Sequence, residues 1–215
     1  MKKGLKLILF LILFTFILPE SVEGQDYKND ISISIGPSIS SFYGNPDLKE
    51  FNPRKTFSIG ASYCFHYSEY VFFQTGILYE KKGAKVDIDF FDDLGNHYKT
   101  SEIIFNRDYL VVPLICSYTI FSRIKLCFEG GLFWGCLLHA NDKNSEVPVQ
   151  NTWAARTKQF DLGIHLGTSI GIPIHEKILI DFAIIENLGL LNSMLNEINT
   201  KNNTARLQIG LKYRF

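Results

Sequence analysis

The chain has 215 residues, of which 46% are hydrophobic and 14% aromatic, and it carries 22 basic and 22 acidic side chains. A formal charge of zero argues against the concentrated basic surface that a phosphate backbone demands, so no nucleic acid is expected as a partner. The length suits one domain behind a short leader.

The leader is read first. Lys2, Lys3 and Lys6 precede an apolar run from Leu7 to Leu18 broken only by Thr15; Pro19 closes the run, and Val22-Glu23-Gly24 follows. A charged start, a short apolar stretch and a small-residue exit predict a secretory signal peptide over residues 1–24, cleaved before Gln25. The run is shorter than the ~20 residues a spanning helix needs, which disfavours an uncleaved anchor. Removing it takes away three lysines and two glutamates and leaves a formal charge of −1 on residues 25–215, the expected domain.

Beyond Gln25 the hydrophobic period is two rather than 3.6, the mark of strands with unlike faces. Ile31, Ile33 and Ile35 form the first run, and Phe57, Ile59, Ala61, Tyr63, Phe65 and Tyr67 the second. Val71, Phe73, Thr75, Ile77 and Tyr79 make the third. The fourth, DYLVVPLICSYTI at 108–120, is apolar on both faces and contains Pro113, so its register is not legible. Leu126, Phe128, Gly130, Leu132, Trp134, Cys136 and Leu138 form the fifth. The sixth sets Phe160, Leu162, Ile164, Leu166, Thr168 and Ile170 against Gln159, Asp161, Gly163, His165, Gly167 and Ser169. Ile178, Ile180, Phe182 and Ile184 follow, and LQIGLKYRF closes the chain as an eighth strand.

The joints alternate. Long polar ones fall near 41–54, 82–107, 140–157 and 187–204, and short ones near 68–69, 121–123 and 172–177. Tight turns at one end and long loops at the other are the pattern of an all-β, eight-stranded antiparallel up-and-down transmembrane β-barrel. Closure is a physical requirement, because strands in hydrocarbon cannot leave N–H and C=O groups unpaired. The eighth strand is therefore expected to pair with the first. A soluble barrel is the alternative, with the aliphatic face inward. The glycines that share the polar face favour the membrane form, whose narrow interior needs small residues beside its charges. Aromatic belts are expected at both ends: Tyr67, Tyr70, Phe73, Tyr118, Phe121, Tyr213 and Phe215 at one, and Phe57, Tyr79, Tyr109, Trp134 and Phe160 at the other.

Several stretches carry a family likeness: TGILYEKKGAK (75–85), RDYLVVPLICSY (107–118), EGGLFWGCLL (129–138), FDLGIHLGTSIGI (160–172) and the terminal Phe215. Their order and spacing resemble the PorT-like outer-membrane β-barrel family. Gly76, Tyr79, Lys82 and Gly83 match its first motif; Tyr109, Leu110, Val112, Pro113 and Leu114 its second; Asp161, Gly163 and Gly167 its fourth. The resemblance implies an integral barrel in the outer membrane, in contact with outer-membrane lipid. Some relatives assist protein secretion and gliding. It also implies that Tyr213 and Phe215 belong to the signal read by the barrel-insertion machinery.

The polar residues are read as a lumen network that fills the bore: Lys125, Glu129, Asp161, His165, Asp181, Arg206, Gln208, Lys212 and Arg214. Buried charges must be paired. A catalytic alternative fails on geometry, since His165 stands four residues from both Asp161 and Ser169 on one strand, about 13 Å at ~3.3 Å per residue. Asp87, Asp89, Asp92 and Asp93 offer oxygen ligands but not the spacing of a calcium loop, so no metal is expected. Nor does the sequence carry a cofactor fingerprint. Cys64, Cys116, Cys127 and Cys136 show no C-x-x-C spacing and are read as free thiols. Within 85–105, Val86, Ile88 and Phe90 alternate with charges around a DDLGN tip, which predicts a ribbon beyond the membrane able to take a protein partner. Met194, Leu195 and Ile198 suggest a short helical turn capping the barrel. The function expected is that of a non-enzymatic envelope or interaction protein; a small pore and a lipid hydrolase are the alternatives.

Overall fold

The computed structural model describes residues 29–44, 51–92, 94–120, 125–144, 152–195 and 199–215. The expected signal peptide, Phe121 and Ile198 lie outside them. The described strands are β1 (Asp30–Tyr43), β2 (Phe51–His66), β3 (Val71–Lys82), β4 (Ala84–Phe91), β5 (His97–Ile120), β6 (Lys125–Asn144), β7 (Phe160–His175), β8 (Ile178–Gly189) and β9 (Lys201–Arg214). A four-residue helical turn, α1 (Thr152–Ala155), lies between β6 and β7. Every pairing between these strands is antiparallel, and β1 pairs with both β2 and β9, so the sheet closes on itself.

The ring has eight staves, because β3 and β4 are one stave interrupted at Gly83. Both pair with β5 in a single continuous register, Lys82 facing Arg107 and Lys85 facing Ile104. Against β2 the register slips by one residue across the same point, from Ser58↔Glu80 to Pro53↔Ala84. Gly83 sits at φ 129°, and a Cβ there would lie 1.9 Å from the Phe105 carbonyl oxygen, so the bulge needs glycine. Above it β4 and the first part of β5 continue as a two-stranded ribbon, closed at its tip by the Asp92 N–H donating to the Asn96 carbonyl oxygen.

Alternation puts the apolar side chains outside. Ile31, Ile33, Ile35, Phe182, Ile184, Leu207, Ile209 and Leu211 are exposed, whereas Ser32, Asp181, Arg206 and Lys212 between them are buried. In water this arrangement would be inverted; in hydrocarbon it is the favourable one. The end with the short turns is the periplasmic one by the loop-length rule, and both described ends of the chain meet there, Phe215 N–H donating to the Asn29 carbonyl oxygen at 3.0 Å.

Four expectations are corrected. Tyr109 is not part of an outer belt but fully buried inside the barrel. Strand β5 is apolar on both faces, and its odd-numbered residues from Phe105 to Thr119 are buried without a break, while the register shift at Asp108/Tyr109 falls on β6, where Leu138 is left unpaired. Val71 also turns inward, its carbonyl oxygen accepting from the N–H groups of Tyr67 and Ser68 in the tight turn. The long joints shorten, because β5 begins at His97 and β6 runs to Asn144. The expected helical turn at Met194 is an extended bridge instead, Met194 pairing with Thr157. Of the cysteines, Cys64 and Cys127 are buried with Phe72, Cys116 and Cys136 are half-buried, and no bridge joins any of them.

Candidate functional site

The barrel interior is a stack of charge layers. At the periplasmic rim, Asp30 of β1 accepts from His66 Nε2 at 2.9 Å and from Arg214 Nε at 3.0 Å, which ties the first stave to the second and the last. Lys125 faces the same end of the bore and is half-buried. One layer in, Lys212 Nζ reaches Asp181 Oδ1 at 3.0 Å. Glu129 Oε1 accepts from Ser169 Oγ at 2.9 Å, and Glu129 Oε2 lies 3.6 Å from His165 Nε2. The other nitrogen of that ring, Nδ1, is 2.9 Å from Asn187 Oδ1, which can only accept. Gln208 Nε2 donates to Ser34 Oγ across the β1–β9 seam. Between these groups is a cavity of ≈ 40 Å³, room for roughly two or three waters.

The middle layer is a quartet of two acids and two bases. Glu80 accepts from Arg206 Nη1 at 2.8 Å and lies 3.3 Å from Lys82 Nζ. Lys82 Nζ donates to Asp161 Oδ2 at 2.9 Å. Glu80, Lys82 and Asp161 are at most 1% exposed. Removing such ions from water costs several kcal/mol each, so the arrangement holds only because the charges sum to zero and neighbours complete the hydrogen bonds. Asn187 and Asn202 donate to Glu80 and Asp161 respectively, and the ammonium of Lys82 sits 4.4 Å from the ring centroid of Phe133.

Above the quartet, Arg107 Nη1 donates to Asp142 Oδ1 at 2.7 Å, and Asp142 Oδ2 accepts from the Ala154 N–H, which holds α1 against β6. An apolar lid closes the stack. Phe42, Ala84, Val86, Phe105 and Met194 are buried together, with Phe51 and Ile103 against them, and the rings of Phe51 and Phe105 lie 5.4 Å apart.

Glu129, Asp161, His165, Asp181, Arg206 and Lys212 are buried on the inner face and Lys125, Gln208 and Arg214 are half-buried there; the period-two pattern does not single out Asp30, Glu80, Lys82, Arg107, Asp142, Asn187 or Asn202. Tyr213 and Phe215, the expected assembly signal, are exposed on the outward face at the periplasmic rim. Ser169 and His165 do not bond to each other; each is turned to Glu129.

Outside the membrane the β4–β5 ribbon has two faces. One continues the lid through Val86, Ile88 and Phe90. The other carries the Lys85–Glu102 pair at 2.7 Å and Asp89, which accepts from Thr100 and His97. The Thr100 hydroxyl and then the His97 ring hold the Asp89 carboxyl below its ordinary pKa. At the tip, Asp92 Oδ1 accepts from the N–H groups of Leu94 and Asn96 at 2.9 and 2.8 Å, and these bonds, the Asn96 one first, lower its pKa too. With Asp87 also accepting from Asn52, the described ribbon aspartates are engaged within the protein, Asp93 lying outside the described residues, and no group of three or more His, Cys, Asp or Glu suited to a metal occurs among the described residues. Phe91, Leu94 and Tyr98 remain exposed around the tip.

The family described as outer membrane protein beta-barrel domain matches residues 24–194. Among solved structures, the outer membrane protein OprG from Pseudomonas aeruginosa superposes with a TM-score of 0.52 at 11% identity, over 91% of this chain and 99% of that one. Neisserial surface protein A gives 0.47 at 12% identity, over 87% and 97% of the two chains. Ail of Yersinia pestis, in complex with the heparin analogue sucrose octasulfate, gives 0.44 at 12% identity, over 86% and 99%. No curated protein sequence matches.

Proposed function

The chain belongs to the outer membrane protein beta-barrel domain family, is an integral β-barrel of the outer membrane, and on that premise we propose that it is a non-enzymatic interaction protein. In this reading the barrel anchors and the β4–β5 ribbon meets a protein partner. The observation that carries it is the contrast between the two regions. The bore is filled by ion-pair layers, the central quartet neutral, under an apolar lid, whereas the ribbon holds Phe91, Leu94 and Tyr98 out toward solvent.

A small pore is the competing role. It is disfavoured because ions crossing the bore must separate Lys82 from Glu80 and Asp161, three fully buried charges. Hydrolysis is disfavoured because Ser169 and its partner Glu129 are buried in the bore beside a cavity of only ≈ 40 Å³, which admits no lipid substrate. The PorT-like motifs favour a narrower role, that of an accessory to protein secretion. Insertion by the barrel-insertion machinery through Tyr213 and Phe215 is part of the same proposal.

The experiment is photocrosslinking from Tyr98, replaced by a photoreactive aromatic residue, in intact cells. One defined adduct that disappears in the Phe91→Ser/Leu94→Ser variant, which keeps the crosslinker at position 98, supports the reading. An adduct pattern unaffected by that double substitution contradicts it.

A further inference from the structure

The lipid-facing surface carries a groove over the β1–β9 seam that the lumen and the ribbon do not explain. It measures ≈ 300 Å³ and is lined on the outside by Pro37, Ile39, Ile184, Ala205, Leu207 and Lys55. Its origin is local. Pro37 has no N–H, and the described β1–β9 ladder lapses between Ile35↔Ile209 and Ser38↔Arg206. Pro37 and Ala205 are short, so they form a trough between the exposed ridges of Ile39 on one side and Ile184 and Leu207 on the other.

The outer end of this trough is basic. Lys55 lies opposite Ile39 in the β1–β2 register, one outward-facing position further from the periplasm than Phe57 opposite Pro37. Lys81 is on the neighbouring stave, its ammonium 5.1 Å from the Phe57 ring centroid. Both lysines share the face that carries Phe57, Ile59 and Tyr79 into lipid. A cation on that face is strongly disfavoured at the bilayer midplane and nearly free of cost near the headgroups. Two of them side by side therefore mark the headgroup level of the outer leaflet. The nearest acids on that face are Asp108, opposite Lys81, and Glu186, opposite Ala205. Neither forms an ion pair with Lys55 or Lys81 among the described residues.

We propose that this surface binds a phosphorylated acyl lipid of the outer leaflet, with one chain in the Pro37–Ala205 trough and a phosphate between Lys55 and Lys81. Apolar complementarity supplies the chain site, and two ammonium groups with no ion-pair partner among the described residues supply the anion site. The inference does not depend on what the ribbon binds.

Native mass spectrometry of the refolded full barrel tests it, with diphosphorylated lipid A and its dephosphorylated form as probes. Lys55→Ala/Lys81→Ala is expected to weaken retention of the phosphorylated probe by about tenfold, or ~1.4 kcal/mol, and to leave the dephosphorylated probe unchanged. Ala205→Leu, which fills the trough, is expected to weaken both. Lys177→Ala, at the periplasmic turn, is the control and should change neither. Heat-modifiable gel migration of each variant establishes that it has folded. Equal retention of the phosphorylated probe by folded wild type and the folded double-lysine variant overturns the proposal. So does a wild-type barrel that holds the two probes equally.

Discussion

Lys82 and Asp161 stand 79 residues apart in sequence, on staves separated by β5 and β6, yet their side chains meet at 2.9 Å inside the barrel. That contact and the Glu80–Arg206 pair beside it fix which staves face one another across the bore.

Lys82→Ala leaves Glu80 and Asp161 with one cation between them. Breaking a buried pair from one side costs about 3–5 kcal/mol, so the variant should lose its folded gel migration at a markedly lower temperature than wild type. The double variant Lys82→Met/Asp161→Asn restores neutrality and should recover part of that loss. A cycle with no coupling between the two positions would show that the contact contributes nothing.

Gly83→Ala places a Cβ against the Phe105 carbonyl oxygen at a φ where side chains are strained. A cost of about 1–3 kcal/mol is expected from such a site. It should fall on the ribbon before the barrel, because β4 hangs from this residue. Limited proteolysis within 85–105 should accelerate while the barrel fragment survives; equal protection in the variant would contradict the bulge.

The pH dependence of the ribbon follows from Asp92 and Asp89. Both carboxyls sit below the ordinary value of 3.8 in the folded ribbon, so the stabilisation they give is present at neutral pH. It is lost as the pH falls through their lowered values, when protonation removes the acceptors. The amide NMR signals of Leu94 and Asn96 should titrate with a midpoint below 3.8, and Asp92→Ala should abolish the titration. A midpoint above 3.8 would mean that the tip bonds are absent.

The sequence made the staves legible where two unlike faces alternate, as in β7 and β9. It failed where both faces are apolar, and Tyr109 was placed outside for that reason. The lumen residues on β6 to β9 could be named because each stands alone between apolar neighbours. Glu80 and Lys82 could not, since they lie in the run Glu80-Lys81-Lys82, in which alternate charges point into the bore and to the outward face. Lys82 and Gly83 were visible only as letters of a family motif; the buried quartet and the bulge supply their physical reason. Arg107 and Asp142 fell in stretches read as loops, because strand length beyond the membrane is set by pairing partners rather than by hydrophobic period.

The central claim is that the aliphatic and aromatic side of the staves faces lipid. Trp134 is on that side, stacked on Phe160 at 5.6 Å, while its neighbour Phe133 is fully buried in the bore. Trp153→Phe leaves Trp134 as the single tryptophan of the chain. In vesicles of bromine-labelled phospholipid its fluorescence should be strongly quenched and should resist aqueous acrylamide. Emission untouched by the brominated chains but quenched from water would contradict the account.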